Sequence, residues 1–130
     1  MAKLEPNIAV ITLFEDDLDE AKAFYQRVFG LRLLFDDQDS AGFTFGGTVL
    51  NLLKRPAARE LIAPAHVANR QAGARSQFTI FVEDVDGRCE HLRKAGVQIL
   101  NGPMNRPWCM RTATFMDPSG HIWELAKDLS

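Results

Sequence analysis

Histidine and cysteine are the residue types that most often bind transition metals or act as nucleophiles. The chain holds three histidines, His66, His91 and His121, and two cysteines, Cys89 and Cys109. The cysteines show no metal-ligand spacing, His66 lies in a long predicted loop, and His91 falls off the apolar face of its predicted helix. We therefore expect reduced thiols without a catalytic role and histidines on the surface or satisfied in the core.

The segment 105–111 offers a different chemistry, because it combines an aromatic ring, Trp108, with a cation, Arg111. A planar guanidinium favours an anionic or carbonyl-bearing ligand, to which it can donate paired hydrogen bonds. Arg111 shares its strand parity with Ala113 and Phe115, so these three side chains should face one side of the sheet. A solvent-exposed arginine without a ligand is an equally good interpretation of this position.

Hydrophobic periodicity predicts the elements that position these residues. In the first half we expect a strand, a helix that Asp17 caps with Glu20 three residues later, a second strand, and a hairpin around Gly46-Gly47. In the second half we expect a strand, a helix, a strand, and a hairpin around the turn 117–120. The predicted bounds are 8–14, 17–29, 31–36 and 43–53 in the first half, and 78–82, 85–95, 97–100, 111–116 and 121–126 in the second.

The two halves repeat one another. Residues 11–19 reappear as residues 78–86, an offset of 67 positions, and each copy opens a helix that a glycine closes, Gly30 or Gly96. Both halves therefore read as βαβββ units, spanning 8–53 and 77–127 within one domain of residues 1–130. The connection 54–76 is rich in Ala, Pro and Arg, and we expect a solvated linker with one short helical turn at 59–62 or, alternatively, a segment that packs over the site or a second subunit.

Composition excludes several classes of protein. The chain has 130 residues, 46% of them hydrophobic and 25% charged, and a net charge of −2, which are values of an ordinary globular domain. Its basic residues are dispersed, so we expect no nucleic-acid partner. No segment resembles a signal peptide or a membrane span, so we expect a cytoplasmic protein with no membrane partner.

Residues 14–25, residues 28–31 and the segment 117–125 together resemble the vicinal oxygen chelate superfamily. That superfamily includes glyoxalase I, extradiol dioxygenases, fosfomycin-resistance enzymes and bleomycin-resistance binding proteins. The resemblance implies an α+β fold in which two βαβββ units form a cupped incomplete barrel, with ligands held in the cup. It also implies a homodimer, because a single cupped unit leaves open sheet edges that a partner can cover.

The metal enzymes of this superfamily place ligands at four strand positions, which correspond here to Val10, Asn51, Gln77 and Glu124. Valine donates nothing, and the two amides offer only neutral carbonyl groups. Glu124 is therefore the one anionic donor, and such a set would bind a divalent ion weakly. We expect no tightly bound catalytic metal and no other cofactor. His121 has the opposite strand parity to Glu124 and should point away from it.

The resemblance also implies which side chains line the cup. Thr12, Phe14, Thr79 and Phe81 share the parity of Val10 and Gln77, and an apolar wall with a few polar groups suits a small molecule. Asn51, Gln77 and Glu124 would supply polar contacts, with Trp108 and Arg111 near the mouth of the cup. The competing interpretations are that the phenylalanines only fill a core, that the amides are structural, and that Glu124 is an ordinary strand carboxylate.

Two classes of function follow from these residues. The first is a metal-independent protein that binds a small organic molecule, in the manner of the bleomycin-resistance-like members. The alternative is an enzyme, either a glyoxalase-like lyase or isomerase with a relaxed metal requirement or a metal-free one in which Glu124 is catalytic and moves a proton. A weaker possibility is an accessory protein that works through protein contacts. The sequence does not name the ligand.

Overall fold

A computed structural model describes residues 2–130, which divide into two compact units, one ending at Val67 and the other beginning at Ala68. Each unit contains a four-stranded mixed sheet, and three α-helices accompany the two sheets. Both sheets are open. The predicted α+β class and the repeat of βαβββ units are confirmed, since helix and strands follow one another in the same order in both units.

The first unit begins with β1 (Val10–Glu15), α1 (Leu18–Phe29), β2 (Leu33–Asp36), β3 (Ser40–Phe45), β4 (Thr48–Lys54) and α2 (Arg55–Ile62). Its strand order is β1-β4-β3-β2, with β1 parallel to β4 and the other pairs antiparallel. The β3–β4 hairpin turns at Gly46-Gly47 as predicted, and Gly46 supplies the positive φ of 59°.

Helix α1 begins where the sequence predicts. The Asp17 carboxylate accepts a hydrogen bond from the Glu20 backbone N–H at 3.0 Å, which satisfies one of the free donors of the first turn. The helix ends at Gly30, whose φ of 64° is accessible to glycine without a steric penalty. Phe29 contacts Phe45 of β3 at 5.7 Å between ring centroids, so α1 packs on the sheet face that carries Phe45.

The connection after β4 differs from the prediction. A helical turn was expected at 59–62, but α2 starts directly after β4 and covers eight residues. Pro56 lies in its first turn, where a missing N–H costs nothing, and Ala58 is fully buried. The sequence signal was weak because α2 lacks a side-chain cap at its N-terminus.

The second unit contains a short 3-10 turn (Arg70–Ala72), then β5 (Gln77–Phe81), α3 (Val85–Lys94), β6 (Ile99–Arg106), β7 (Met110–Met116) and β8 (Ile122–Asp128). Its strand order, β5-β8-β7-β6, matches that of the first unit, again with the first strand parallel to the last. Asp84 caps α3 as Asp17 caps α1, accepting from the Gly87 N–H at 3.0 Å.

Strand β6 is longer than predicted and is irregular. The prediction ended it at residue 100, whereas the strand continues to Arg106 with two register shifts against β7. Gly102 lies at the second shift with a φ of 86°, and a Cβ there would sit 2.8 Å from Ala113 Cα. Only glycine allows β6 to approach β7 this closely, and a bulge of this kind re-aims the neighbouring side chains.

Each sheet has one face against its principal helix and one face turned away from it, which we call the distal face. Because side chains alternate along a strand, Leu50, Leu52 and Phe43 lie under α1, whereas Asn51 belongs to the distal face. In the second unit Trp123, Leu125 and Phe115 lie under α3, and Glu124 belongs to the distal face.

No helix among residues 2–130 is long and apolar enough to cross a membrane.

Candidate functional site

A row of polar residues crosses the distal face of the second sheet. Thr79 of β5, Glu124 of β8, Thr114 of β7 and Asn101 of β6 are successive partners in the strand register. The Thr79 hydroxyl donates a hydrogen bond to Glu124 Oε1 at 2.8 Å. Neighbouring strands are about 5 Å apart, so the row spans about 15 Å of sheet surface.

The first sheet carries the equivalent row, with different chemistry. Thr12, Asn51, Gly42 and Phe35 are register partners on β1, β4, β3 and β2. Asn51 Nδ2 donates to Thr12 Oγ1 at 3.3 Å, which repeats the contact between Thr79 and Glu124 in the other unit. The Phe35 ring covers Gly42 so closely that a Cβ at Gly42 would overlap it. Asn51 is therefore bordered by an aromatic ring on one side and a hydroxyl on the other.

Two polar atoms of these rows are buried without a partner. Asn51 Oδ1 and Thr114 Oγ1 are inaccessible to solvent and, within residues 2–130, make no hydrogen bond. A buried polar atom left unpaired costs about 1–3 kcal/mol. Such atoms are uncommon in folded proteins and call for an explanation, of which a group supplied from outside the chain is one.

Large apolar side chains flank the rows and remain accessible. Val10 is 51% exposed and Phe81 is 70% exposed, while Phe14 is half-buried. Gln77, whose side chain shares the parity of Thr79, is also exposed. The distal faces thus combine apolar surface with a few polar groups, which is the composition expected of a surface that binds a small molecule.

Arg111 is engaged in an ion pair. Its Nε and Nη2 each donate to the Asp86 carboxylate at 2.8 Å, and its Nη1 donates to Asn105 at 2.9 Å. Hydrogen bonding from Arg111 lowers the pKa of Asp86, and the same contact raises the pKa of Arg111. Since Asp86 belongs to α3, Arg111 lies on the α3 side of the sheet, the side of Phe115. Two of its nitrogens are thus bonded to α3 and the third to β6, and a ligand-binding role for Arg111 stays a prediction that these contacts do not favour.

Arg106, which the sequence reasoning did not single out, lies on the distal face instead. Its Nε donates to Thr112 Oγ1 at 2.9 Å and its Nη2 donates to Asn101 Oδ1 at 2.7 Å. Thr112 alternates with Ala113 and shares the distal face with Thr114. Trp108 is 63% exposed, and the centroid of its ring lies 6.0 Å from the Arg106 guanidinium carbon, within cation–π range.

The two cysteines occupy different environments. Cys89 is a buried residue of α3, and burial raises the pKa of its thiol, which disfavours the reactive thiolate. Cys109 is exposed in the β6–β7 hairpin and has a φ of 61°. Neither thiol forms a disulfide.

The second unit also has an open depression of about 520 Å³ at the N-terminal end of α3. Its lining includes Phe81, Asp84, Arg88 and His91. Phe81 is the one predicted ligand-binding residue that lines it. The predicted polar side chains Thr12 and Asn51 lie instead in the row of the first sheet, and Thr79 and Glu124 lie in the row of the second.

Comparison with known proteins agrees with this architecture. Residues 7–125 match the family model of the glyoxalase/bleomycin resistance protein/dioxygenase superfamily. The chain belongs to this superfamily. A curated relative, the metallothiol transferase FosB of Lysinibacillus sphaericus, is 31% identical over 111 residues, which are 83% of this chain and 72% of that protein.

Solved structures of the superfamily superpose closely on the chain. A glyoxalase/bleomycin resistance protein/dioxygenase from Nocardioides has a TM-score of 0.86 and 26% identity, over 99% of this chain and 87% of that one. A glyoxalase-related enzyme from Fulvimarina pelagi has a TM-score of 0.82 and 26% identity, over 95% of this chain and 89% of that one. The resemblance identified from the motifs is confirmed.

The positions that carry metal ligands in the superfamily's metal enzymes do not fit a divalent ion here. In the first unit they are Val10, which has no donor atom, and Asn51, whose Nδ2 is bonded to Thr12. In the second unit they are Gln77, a neutral amide, and Glu124, whose Oε1 accepts from Thr79. Zn²⁺ prefers imidazole, thiolate or carboxylate ligands, and harder ions prefer several anionic oxygens. Neither unit supplies such a set at these positions.

Proposed function

We propose that this protein binds a small organic molecule on a distal sheet face, of which each unit offers one, without a tightly bound catalytic metal. The observation that carries the proposal is the buried Asn51 Oδ1, which has no hydrogen-bond partner among residues 2–130 and lies at a position that the superfamily's metal enzymes use for a ligand. A bound molecule that donates a hydrogen bond to this oxygen would remove the desolvation cost of leaving it unpaired.

The second unit supports the same chemistry through Glu124. Thr79 uses one lone pair of Oε1, and a carboxylate has about four acceptor sites, so most of its acceptor capacity is left for a ligand. Thr114, its register neighbour, adds a buried hydroxyl without a partner among the described residues. A hydroxyl, amine or amide N–H of the ligand would satisfy these groups.

The remaining residues of the proposal supply apolar contact and orientation. Thr12 and Thr79 hold the Asn51 and Glu124 side chains in place, while Phe14 and Phe81 provide aromatic surface. Gln77 would add a flexible amide. An apolar wall with few polar groups gives affinity from burial and specificity from hydrogen bonds.

The proposal is tested by a binding screen with variants that keep side-chain volume. A panel of metabolites and antibiotics is screened by thermal shift on the wild type, and each hit is titrated on Glu124→Gln and Asn51→Leu. We expect the affinity for a hit to fall by about 10-fold or more in the variant that alters the sheet face to which it binds, the loss of a charged or buried hydrogen bond. Glu90→Gln, an exposed change on α3, is the matched control. Hits whose affinity is the same in all three variants would contradict the proposal.

A second candidate is an enzyme in which Glu124 moves a proton. Two observations favour testing this candidate. Thr79 orients the Glu124 carboxylate, and the chain is similar to a metallothiol transferase. Turnover of glyoxalase-type or thiol-transfer substrates with a pH profile that Glu124→Gln abolishes would support a catalytic Glu124. Full activity of Glu124→Gln would exclude that role.

We propose in addition that the protein forms a homodimer. Each sheet has two edge strands, β1 and β2 in the first and β5 and β6 in the second, and exposed edges invite pairing. Sedimentation equilibrium across a wide concentration range tests this assembly, and a monomer mass at the highest concentration would overturn it.

A further inference from the structure

The open depression beside α3 has a volume of about 520 Å³, which falls within the range of small-molecule pockets, about 300–1,000 Å³. It runs from the end of β5 along the first two turns of α3, and its lining includes Phe81, Glu83, Asp84, Gly87, Arg88 and His91. Within residues 2–130, no residue that lines it belongs to the polar rows. The proposed function therefore does not account for this depression.

The repeat within the chain shows what is unusual about α3. With the offset of 67 residues, Arg88 and His91 correspond to Ala21 and Phe24 of α1. The two residues of α1 are buried, with 0% and 5% of their surface exposed, whereas the two residues of α3 are exposed. Burial of an apolar face is the main source of helix stability in proteins, so α3 forgoes contacts that its counterpart makes. Two polar side chains at such positions point to a role other than folding.

Gly87 adds to the opening. It corresponds to Glu20 of α1 by the same offset, and it lies in the first turn of α3, where it lines the depression. Glycine within a helix is destabilising relative to alanine. Its missing side chain leaves room for the Asp84 carboxylate, which a Cβ at this position would overlap. The α3 side of the depression therefore consists of one residue without a side chain and two residues with polar side chains.

Opposite charges line the depression without pairing. Glu83, Arg88 and His91 are exposed, and within residues 2–130 none of them takes part in an ion pair. Asp84 Oδ1 accepts from the Gly87 N–H, a neutral donor, so the charge of this carboxylate also remains in the lining. An anion would therefore meet two carboxylates here, and a cation would meet a guanidinium. A molecule that carries both charges can be complementary to the lining at both ends.

Phe81 gives the depression an apolar wall. Its side chain stands at the end of β5 and is 70% exposed. An apolar group that covers this ring removes apolar surface from water and so adds affinity that the charges alone do not provide. Phe81 is also part of the proposed function, and for that reason the variants that test the depression leave it unchanged.

From these observations we infer that the depression beside α3 is a second binding site, which takes a small zwitterion with an apolar side chain, such as an aromatic amino acid. Arg88 donates to the carboxylate of the ligand, and His91 is its neighbour three residues along the same helix. Glu83 accepts from the ammonium group of the ligand, and Phe81 contacts its side chain. The polar rows take no part, so this site does not depend on the proposed function.

A matched set of probes tests the zwitterion. Phenylalanine carries both charges, 3-phenylpropionate carries only the carboxylate, and 2-phenylethylamine carries only the ammonium group. Isothermal titration calorimetry on the full chain should show saturable binding of phenylalanine, with affinity at least about 10-fold lower for each single-charge probe, the loss of a charged hydrogen bond. Alanine, which lacks the ring, should also bind more weakly. Amide chemical shifts of residues 83–91 should move during the phenylalanine titration.

Variants assign the binding to named side chains. Arg88→Gln and Glu83→Gln should each weaken phenylalanine binding by at least about 10-fold. Lys94→Gln removes another exposed cation of α3, one that does not line the depression, and should bind phenylalanine as the wild type does. The double variant Arg88→Ala/His91→Phe gives α3 the two residues that α1 has at these positions and should abolish binding. Circular dichroism and urea unfolding check that each variant is folded.

Three results would overturn this second site. They are equal affinity of the wild type and folded Arg88→Gln for phenylalanine, equal affinity of the wild type for phenylalanine and 3-phenylpropionate, and no saturable binding of phenylalanine at millimolar concentration. If phenylalanine binding is lost in Glu124→Gln but kept in Arg88→Gln, the ligand occupies the distal face, so the proposed function stands and the second site fails. If phenylalanine binding depends on Arg88 while Glu124→Gln and Asn51→Leu bind every screened ligand normally, the second site stands and the proposed function fails.

Discussion

The Thr79 hydroxyl donates to Glu124 Oε1 at 2.8 Å, and this contact occupies the same place in the second sheet that the pair of Thr12 and Asn51 occupies in the first. The repeat thus preserves a threonine on the first strand and changes only its partner on the last strand, from an amide to a carboxylate. The two sheets present related polar groups with different charge.

Asn51→Leu should separate stability from binding. The substitution removes a buried oxygen that has no partner within the part of the chain that the structure describes, so we expect the free energy of unfolding to be unchanged or to rise by up to about 1 kcal/mol. Urea unfolding measures this change. The double variant Thr12→Val/Asn51→Leu, which also removes the other end of the hydrogen bond, serves as control. A large loss of stability in both variants would show that Asn51 is structural.

Glu124→Gln should leave the fold intact, because a glutamine amide oxygen can still accept from the Thr79 hydroxyl. We expect an unfolding midpoint close to that of the wild type together with the loss of affinity described above. Thr79→Val removes only the orienting hydroxyl and should have a smaller effect on affinity. If Thr79→Val weakens binding more than Glu124→Gln does, the carboxylate is not the principal polar contact.

The Asp86–Arg111 pair predicts a specific acid sensitivity. The pKa of Asp86 is lower in the folded chain, chiefly because Arg111 donates to its ionised form. Its stabilising contribution is therefore complete above the unfolded pKa and is lost as the pH falls through the folded pKa. Near neutral pH, the wild type should have its unfolding midpoint at a higher urea concentration than Asp86→Asn. The difference between the two midpoints should shrink below pH about 4. A constant difference down to strongly acidic pH would contradict this account.

Gly102→Ala should be more damaging than Gly30→Ala. Both glycines have positive φ, but space around Gly30 is open, so alanine there costs about 1–2 kcal/mol of backbone strain. At Gly102 the added Cβ also overlaps the Thr112 carbonyl and Ala113 Cα. We expect the free energy of unfolding, measured with urea, to fall by more than about 2 kcal/mol. Equal losses for the two variants would mean that β6 can move away from β7.

Elemental analysis of protein purified without a metal-affinity tag should find no stoichiometric transition metal. The residues at the superfamily's ligand positions offer one carboxylate, two amides and a valine, which is a poor donor set. Thermal-shift measurements with Zn²⁺, Ni²⁺, Mn²⁺ and Fe²⁺ should show no large stabilisation. Near-stoichiometric metal, or a strong metal-dependent shift, would show that other residues of the chain form a metal site.

The sequence was sufficient for the fold, because the fold depends on local patterns that repeat. Asp17 and Asp84 each precede an amphipathic helix by one residue, and the turn glycines follow at helix ends and hairpins. The resemblance to the superfamily singled out Asn51 and Glu124, and the structure puts each of them on the distal face of its sheet. Hydrophobic periods of two and 3.6 residues indicate strands and helices and which face of each is buried.

Only the tertiary structure decided what each polar side chain contacts. Arg106 and Arg111 stand in one short segment, and nothing in that segment indicates that one pairs with Asp86, 25 residues earlier, while the other reaches Thr112. The difference arises from the bulges in β6, whose register depends on the close approach that Gly102 permits. Strand periodicity assumes regular pairing, so it fails at a bulge such as the one beside Gly102.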